Sequence, residues 1–202
     1  MEQGSLPERY LMRSVIKHIR KLNPKIEVSA AVGNDYASLN GIVSADGIGD
    51  TPWIAWTRAL NNFACSGGNV EGARITMLLP ENVKESWIKS YMADFNAFAE
   101  SKGIQILGGH TQVSSAFERA QFLITMLGQA GMYRADKKKI KSGYEIVMTG
   151  QAGLMGADVI LKHKREALNT RFSKSYLDMA CVKESDYSIW DAAQSVAASD
   201  CD

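Results

Sequence analysis

The chain has 202 residues, a formal net charge of +1 and 46% apolar residues. That supplies a buried core for one domain or one and a half, and so even a charge balance argues against a nucleic-acid or acidic partner. The three cysteines form no C-x-x-C pair and the three histidines are scattered, which gives no zinc spacing and points to a reducing compartment.

The start, Met1 to Arg9, is not a basic segment followed by an apolar one. No apolar run anywhere approaches the ~20 residues that span a bilayer. The expectation is a soluble, cytoplasmic protein with no membrane partner. Glu8 to Leu22 reads as an amphipathic helix with Leu11, Val15, Ile16 and Ile19 on one stripe, ended by Asn23-Pro24. Asn40-Gly41 then stands between two apolar runs, a strong hairpin signal because both turn positions need φ > 0. A two-residue loop there pairs Leu39 with Ile42 and Ala37 with Ser44, and extends to Asp35 opposite Asp46. Gly49-Asp50-Thr51-Pro52 is a helix start, and the helix runs through Trp53, Trp56, Leu60 and Phe63 to Gly67-Gly68.

Arg74 to Leu79 reads as a strand stopped by Pro80. Glu81 to Lys102 is the clearest helix, with Trp87, Tyr91, Phe95 and Phe98 in a stripe and Gly103 as its stop. Ile104 to Leu107 is a short strand entering Gly108-Gly109-His110-Thr111, and Phe122 to Leu127 is another strand. The basic run Lys137-Lys138-Lys139-Ile140-Lys141 marks a change in composition and is read as a solvated boundary between residues 1–136 and 137–202. Beyond it come a strand at Tyr144 to Met148, a glycine-rich link at Gly150 to Gly156, and helices from Ala157 to the end. There is no internal repeat.

Four groups of residues carry possible chemistry. Carboxylates at Asp35 and Asp46, opposed across a strand pair, repel unless a cation lies between them, and their oxygens suit Mg2+ shared with substrate phosphates; otherwise they are two solvated acids at the hairpin ends. Gly108-Gly109-His110-Thr111 either opens backbone N–H groups toward a phosphate or is a turn with a capping threonine. Gly150 to Gly156 sits where phosphate loops occur, yet it lacks the Lys-Ser/Thr of a Walker loop and serves equally as a tight turn. Asn61-Asn62 lies mid-helix, where asparagine is disfavoured by up to ~0.7 kcal/mol relative to alanine. The pair either faces the hairpin carboxylates or is tolerated on a solvent face.

Taken in order, these segments resemble the aminoimidazole-ribonucleotide (AIR) synthetase superfamily, which includes thiamine-monophosphate kinase, selenophosphate synthetase and a hydrogenase maturation factor. The likeness rests on Gly33 to Ala37, Ser44-Ala45-Asp46, Arg58 to Gly68, Thr76 to Glu81, Ile106 to Val113 and Gly143 to Thr149. It implies an α/β (α+β) protein: an N-terminal domain whose strands join a second copy in a dimer-wide barrel, followed by a truncated C-terminal α+β domain. It also implies ATP and Mg2+ in the cleft between domains and phosphoryl transfer that activates a small acceptor, whose identity the sequence leaves open. By position, Asp35, Asp46 and Asn62 are the expected metal-site residues, and Gly33, Gly108, Gly109, His110 and Thr111 the expected nucleotide-binding ones. Two departures stand out. The family's Asn-Asp pair is here Asn61-Asn62, which removes a charge from the metal shell. The family's C-terminal segment, with its further strands, is expected just beyond Asp202. The alternative expectation is therefore a dimeric nucleotide-binding or assembly module without catalysis.

Overall fold

In the computed structural model, which describes residues 6–20, 22–131 and 140–199, six strands form one sheet in the order β1-β2-β3-β6-β4-β5. The strands are β1 (Ile26–Val28), β2 (Ala37–Leu39), β3 (Ile42–Gly49), β4 (Asn69–Leu79), β5 (Gln105–Val113) and β6 (Gln121–Gln129). Two helices cover one face: α2 (Pro52–Ala64) and α3 (Glu85–Lys102). A short α1 (Glu8–Ser14) precedes the sheet.

The β2–β3 hairpin forms as the sequence dictates. Asn40 and Gly41 take φ of 53° and 81°, the left-handed pair of a turn whose twist matches its strands. The register is Leu39↔Ile42, Ser38↔Val43 and Ala37↔Ser44. There the ladder stops, so the expected extension to Asp35 opposite Asp46 is not formed. Beyond Ser44, β3 pairs only with β6, and Asp46 lies opposite Thr125.

β6 is the central strand, antiparallel to both β3 and β4. Its Phe122, Ile124 and Met126 alternate into the core and are fully buried. β4 and β5 are the one parallel pair, which needs a crossover, and α3 supplies it. On α3, Phe95 is buried against Phe122 and Trp56, with ring centroids 5.7 and 6.3 Å away. Gly103 ends the helix in the left-handed conformation, φ 66°. Helix α2 starts at Thr51, whose hydroxyl accepts from the Ile54 N–H, with Pro52 in the first turn. It buries Ala55, Trp56, Ala59, Leu60 and Phe63.

Helix α2 lies unusually close to the sheet because β3 carries glycine where it crosses. A Cβ on Gly47 would stand 2.2 Å from Ala59 N and 2.5 Å from Ala55 O, and one on Gly49 2.8 Å from Ala55 N. The other sheet face presents Ser44, Asp46 and Ile48 of β3, Leu123, Thr125 and Leu127 of β6, and Arg74, Thr76 and Leu78 of β4. Ile48 and Leu123 remain exposed on it.

Several expectations need correction. The Glu8–Leu22 helix is only Glu8–Ser14 followed by a 3-10 turn at Ile16–His18, and neither buries a residue. β4 begins at Asn69, five residues before Arg74, since β6 continues alongside it. Helix α3 begins at Glu85, not Glu81. Gly108-Gly109-His110-Thr111 is not a turn: all four residues lie within β5. Tyr144 to Met148 joins no ladder among the described residues, and Ile146 and Val147 are exposed; an apolar run becomes a strand only where a neighbour takes its N–H and C=O groups. The Lys137–Lys139 run lies outside the described residues. Helix begins at Leu154, inside the expected Gly150–Gly156 link and three residues before Ala157, and the described remainder is mostly helical as expected: α4 (Leu154–His163), α5 (Arg165–Asn169), α6 (Lys174–Met179) and α7 (Trp190–Ala197), with a 3-10 turn at Glu184–Tyr187.

The close approach of α2 gives a sharp expectation. Gly47→Ala should push α2 off the sheet and cost about 3 kcal/mol or more, at the upper end of overpacking penalties. Reversible urea unfolding of the two proteins measures it, and equal midpoints would show that the contact yields freely.

Candidate functional site

The expected metal-site and nucleotide-binding residues fall into three places. Asp46 projects from β3 onto the open sheet face, where its Oδ1 accepts a 2.6 Å hydrogen bond from Thr125 Oγ1. Asn62, one element later on α2, donates from Nδ2 to the Asp46 carbonyl at 2.8 Å. These two are neighbours, but Asn62 touches the Asp46 backbone and not its carboxylate. Asp35 and Gly33 lie in the exposed connection between β1 and β2, outside the ladder. Gly33 has φ of 73°, and Asn34 fixes this bend by donating from Nδ2 to Ser29 O at 2.9 Å.

The third group is Gly108 to Thr111 on β5. Here β5 is bulged: Ala73 pairs with Ile106 but Arg74 pairs with Gly108, leaving Leu107 as the extra residue. Gly109 is required by packing, since a Cβ would fall 1.7 Å from Ile75 O. His110 pairs with Thr76, which faces Leu123, which faces Ile48. His110 and Asp46 therefore share the open face but sit three strands and two residues apart, on the order of 16 Å at the usual strand spacing and rise. Gly108 to Thr111 also line a small cavity of about 240 Å³ with Ile75, Met77, Met92 and Ile106.

Mg2+ is usually held by one or two carboxylates together with the phosphates of its nucleotide. Asp46, anchored by Thr125, fits the part of one such ligand. Asp35 is not beside it, and among the described residues no three His, Cys, Asp or Glu side chains cluster as a metal cage. Arg74 lies opposite Thr125 on the next strand, in the same row as Asp46. One open face thus carries an acid, a guanidinium, two threonines and a histidine among aliphatic residues.

A larger cavity lies elsewhere. It has a volume of about 770 Å³, within the range of small-molecule sites, and opens at the start of α2. Trp53, Arg58 and Asn61 of α2, Phe117 and Arg119 of the β5–β6 connection, and Asp158, His163 and Tyr187 of the C-terminal segment line it. Arg58 donates to the Ile48 carbonyl at 2.8 Å. Asp158 is buried. Trp53 and Tyr187 stack obliquely with centroids 5.1 Å apart. Burial, then the neighbouring Asp158 and Asp186 carboxylates, pushes the Tyr187 phenol up to about 12. None of the residues expected to bind nucleotide or metal lines this cavity. Sequence reasoning missed it because its walls come from segments far apart in the chain. The one local signal was Asn61, an unfavoured mid-helix residue: its side chain bonds Tyr187 O at 2.7 Å and Ile189 N at 3.0 Å.

A one-sided six-stranded sheet under two helices, with polar groups set in its open face, defines a mixed α/β protein. Residues 26–130 match the family of AIR synthase related proteins, N-terminal domain, and the chain belongs to that family. The match spans all six strands, from β1 to the end of β6. The likeness expected from the motifs is borne out. Among solved structures, the complex of AaThiL with AMPPCP and TMP is similar at a TM-score of 0.67 and 13% identity, over 84% of this chain and 58% of that one. Thiamine-monophosphate kinase from Stenotrophomonas maltophilia K279a is similar at 0.60 and 18%, over 88% and 60%. The E. coli hydrogenase maturation protein HypE is similar at 0.58 and 16%, over 75% and 52%. The chain thus spans less than two thirds of the length of each. Comparison with curated protein sequences gives no match. Among the described residues, no helix is long and apolar enough to cross a membrane.

The Tyr187 environment has a measurable consequence. Its phenol is held protonated in the folded protein, so the stability it contributes is complete below the ordinary tyrosine pKa of about 10. That stability is lost as pH rises from there through about 12. Absorbance titration at alkaline pH should show one late-ionising tyrosine that disappears in Tyr187→Phe; a wild type whose tyrosines all titrate together near 10 would contradict the burial.

Proposed function

We propose that this chain is the nucleotide-binding part of an ATP- and Mg2+-dependent protein that activates a small acceptor by phosphoryl transfer, working in the cytoplasm as a homodimer. The observation that carries the reading is the family match over residues 26–130, because that stretch holds the whole sheet and every expected site residue from Gly33 to Thr111. The AMPPCP complex of a protein with a similar fold supports a nucleotide as the ligand. Residues 1–136 form the first unit in this reading and 137–202 part of a second, completed by segments that the longer relatives carry.

The roles follow from position and chemistry. Phosphoryl transfer asks the protein chiefly to place groups and balance charge. Asp46, held in one rotamer by Thr125, is the metal-site acid, and Asp35 joins it when the β1–β2 connection closes over the phosphates. Asn62 keeps the β3 backbone in register beneath Asp46 and contributes no charge. Gly108, Gly109, His110 and Thr111 meet the phosphate end, with Gly33 at the approach. When bound, Mg2+ neutralises phosphate charge. A second copy covers the open face, where Ile48 and Leu123 are otherwise exposed.

One observation favours a second reading, a dimeric binding module without catalysis. Asn61 and Asn62, where the family has an Asn-Asp pair, are both occupied with backbone groups.

Titration calorimetry separates the two. Mg-ATP should bind the wild type, and Asp46→Asn should weaken Mg-dependent binding at least tenfold with the fold intact by circular dichroism. Equal affinities would remove Asp46 from the metal site. Tight binding with no phosphoryl transfer to any acceptor would favour the module. The dimer is tested by light scattering: a mass near twice the 22.1 kDa of the chain is expected, and a monomer mass that persists at high concentration rejects it.

A further inference from the structure

We infer that the C-terminal segment from Glu184 to Ala197 is a latched strap that builds one wall of the 770 Å³ cavity, and that Asn61 is the latch. This stands apart from the nucleotide reading, since none of the residues proposed there lines that cavity.

The argument starts from what holds the strap. Asn61 presents both halves of its amide to the strap's main chain. Its Nδ2 donates to Tyr187 O at 2.7 Å, and its Oδ1 accepts from Ile189 N at 3.0 Å. A side-chain amide thus pairs with the chain on either side of Ser188 much as a neighbouring strand would. Farther along, Gln194 Nε2 donates to Gly68 O at 3.2 Å, and Trp190 packs against the core. Lys102 and Asp191 approach to 3.5 Å with Asp191 largely solvated, so that pair adds little. The strap is therefore held by side-chain hydrogen bonds and by the rings of Tyr187, against Trp53, and Trp190, against the core, and α7 itself buries nothing completely.

Such an attachment is strong enough to define a position and weak enough to be released, because each hydrogen bond contributes only ~1 kcal/mol net. Elements of that kind open far more often than a core does. Releasing the strap has one specific result. It carries Tyr187 away from Trp53, now 5.1 Å distant, and takes out the wall that Tyr187 forms. The cavity is then a broad recess at the start of α2. Docked, the strap encloses whatever occupies it. Asn61 is thus a positioning residue, whose interior-helix location is explained by its bonds to a segment 126 and 128 residues away.

The test is amide exchange by NMR on the full chain, together with fluorine NMR of protein labelled with 5-fluorotryptophan. In Asn61→Ala, the amides from Tyr187 to Gln194 should exchange at least tenfold faster, while β4 and β6 keep wild-type protection. The Trp53 fluorine signal, assigned through Trp53→Phe, should shift as Tyr187 leaves it. Unchanged exchange in the strap, or an unmoved Trp53 signal, overturns the proposal. If Asn61→Ala instead loosens the sheet as well, Gln194→Ala decides, because it cuts an attachment from the strap's own side. Faster strap exchange over an intact sheet then supports the latch, and no change rejects it.

Discussion

The contact on which the rest of this structure depends is backbone against backbone, where helix α2 crosses strand β3 at Gly47 and Gly49. A helix normally stands off a sheet by the depth of two layers of side chains. Here one layer is missing, because the would-be Cβ positions of Gly47 are already within 2.2 to 2.8 Å of the Ala59 and Ala55 backbone. Ala55 and Ala59 on the facing side of α2 keep the other layer thin. Three consequences follow. Asn62 comes near enough to reach the Asp46 carbonyl. Asn61, one residue earlier, is turned outward to meet the C-terminal segment. Trp53, near the helix start, becomes a cavity wall and not a core residue. A larger residue at position 47 would displace all three together.

How much of this was legible in the sequence depended on whether the signal was local. The β2–β3 hairpin was readable to the residue because its turn chemistry sits in two adjacent letters, Asn40 and Gly41, each needing positive φ. The ends of α2 and α3 were readable for the same reason, through Thr51-Pro52 and Gly103. Strand β5 was misread. Two glycines in a row are turn chemistry in isolation, but Gly109 is there to let Ile75 O approach, a demand made by a strand more than thirty residues earlier. Tyr144 to Met148 failed in the opposite direction. Its β-forming residues are real, yet among the described residues it has no partner.

The candidate site shows the same division. Asp46 and Asn62 lie near each other because one follows the other along a strand and the next helix, yet Asn62 reaches the Asp46 backbone and not its carboxylate. Asp35 was misplaced by assuming that pairing continues past Ala37. It does not, because β2 begins only at Ala37 and the residues before it lie in the exposed connection from β1, outside the ladder. The larger cavity was invisible to any reading of spacing, since β3, α2, the β5–β6 connection and the C-terminal helices each supply only part of it.

The open sheet face has a composition that neither a core nor a free surface explains. Asp46, Arg74 and His110 would be costly in a dry core, while exposed Ile48 and Leu123 beside Leu78 and Leu127 make an apolar stripe that a free surface seldom keeps. Interfaces that enclose a polar ligand need both: aliphatic residues to exclude water, and fixed polar groups to meet charge. The Thr125–Asp46 hydrogen bond is consistent with that demand, because it holds a carboxylate in one orientation on a surface where it would otherwise be free to turn. Alternation along the strands then divides the labour. On β6, Phe122, Ile124 and Met126 hold the helices, while Leu123, Thr125 and Leu127 face outward. A shift of one residue would exchange the two sets, so the same period that fixes the core also fixes which groups the open face can offer.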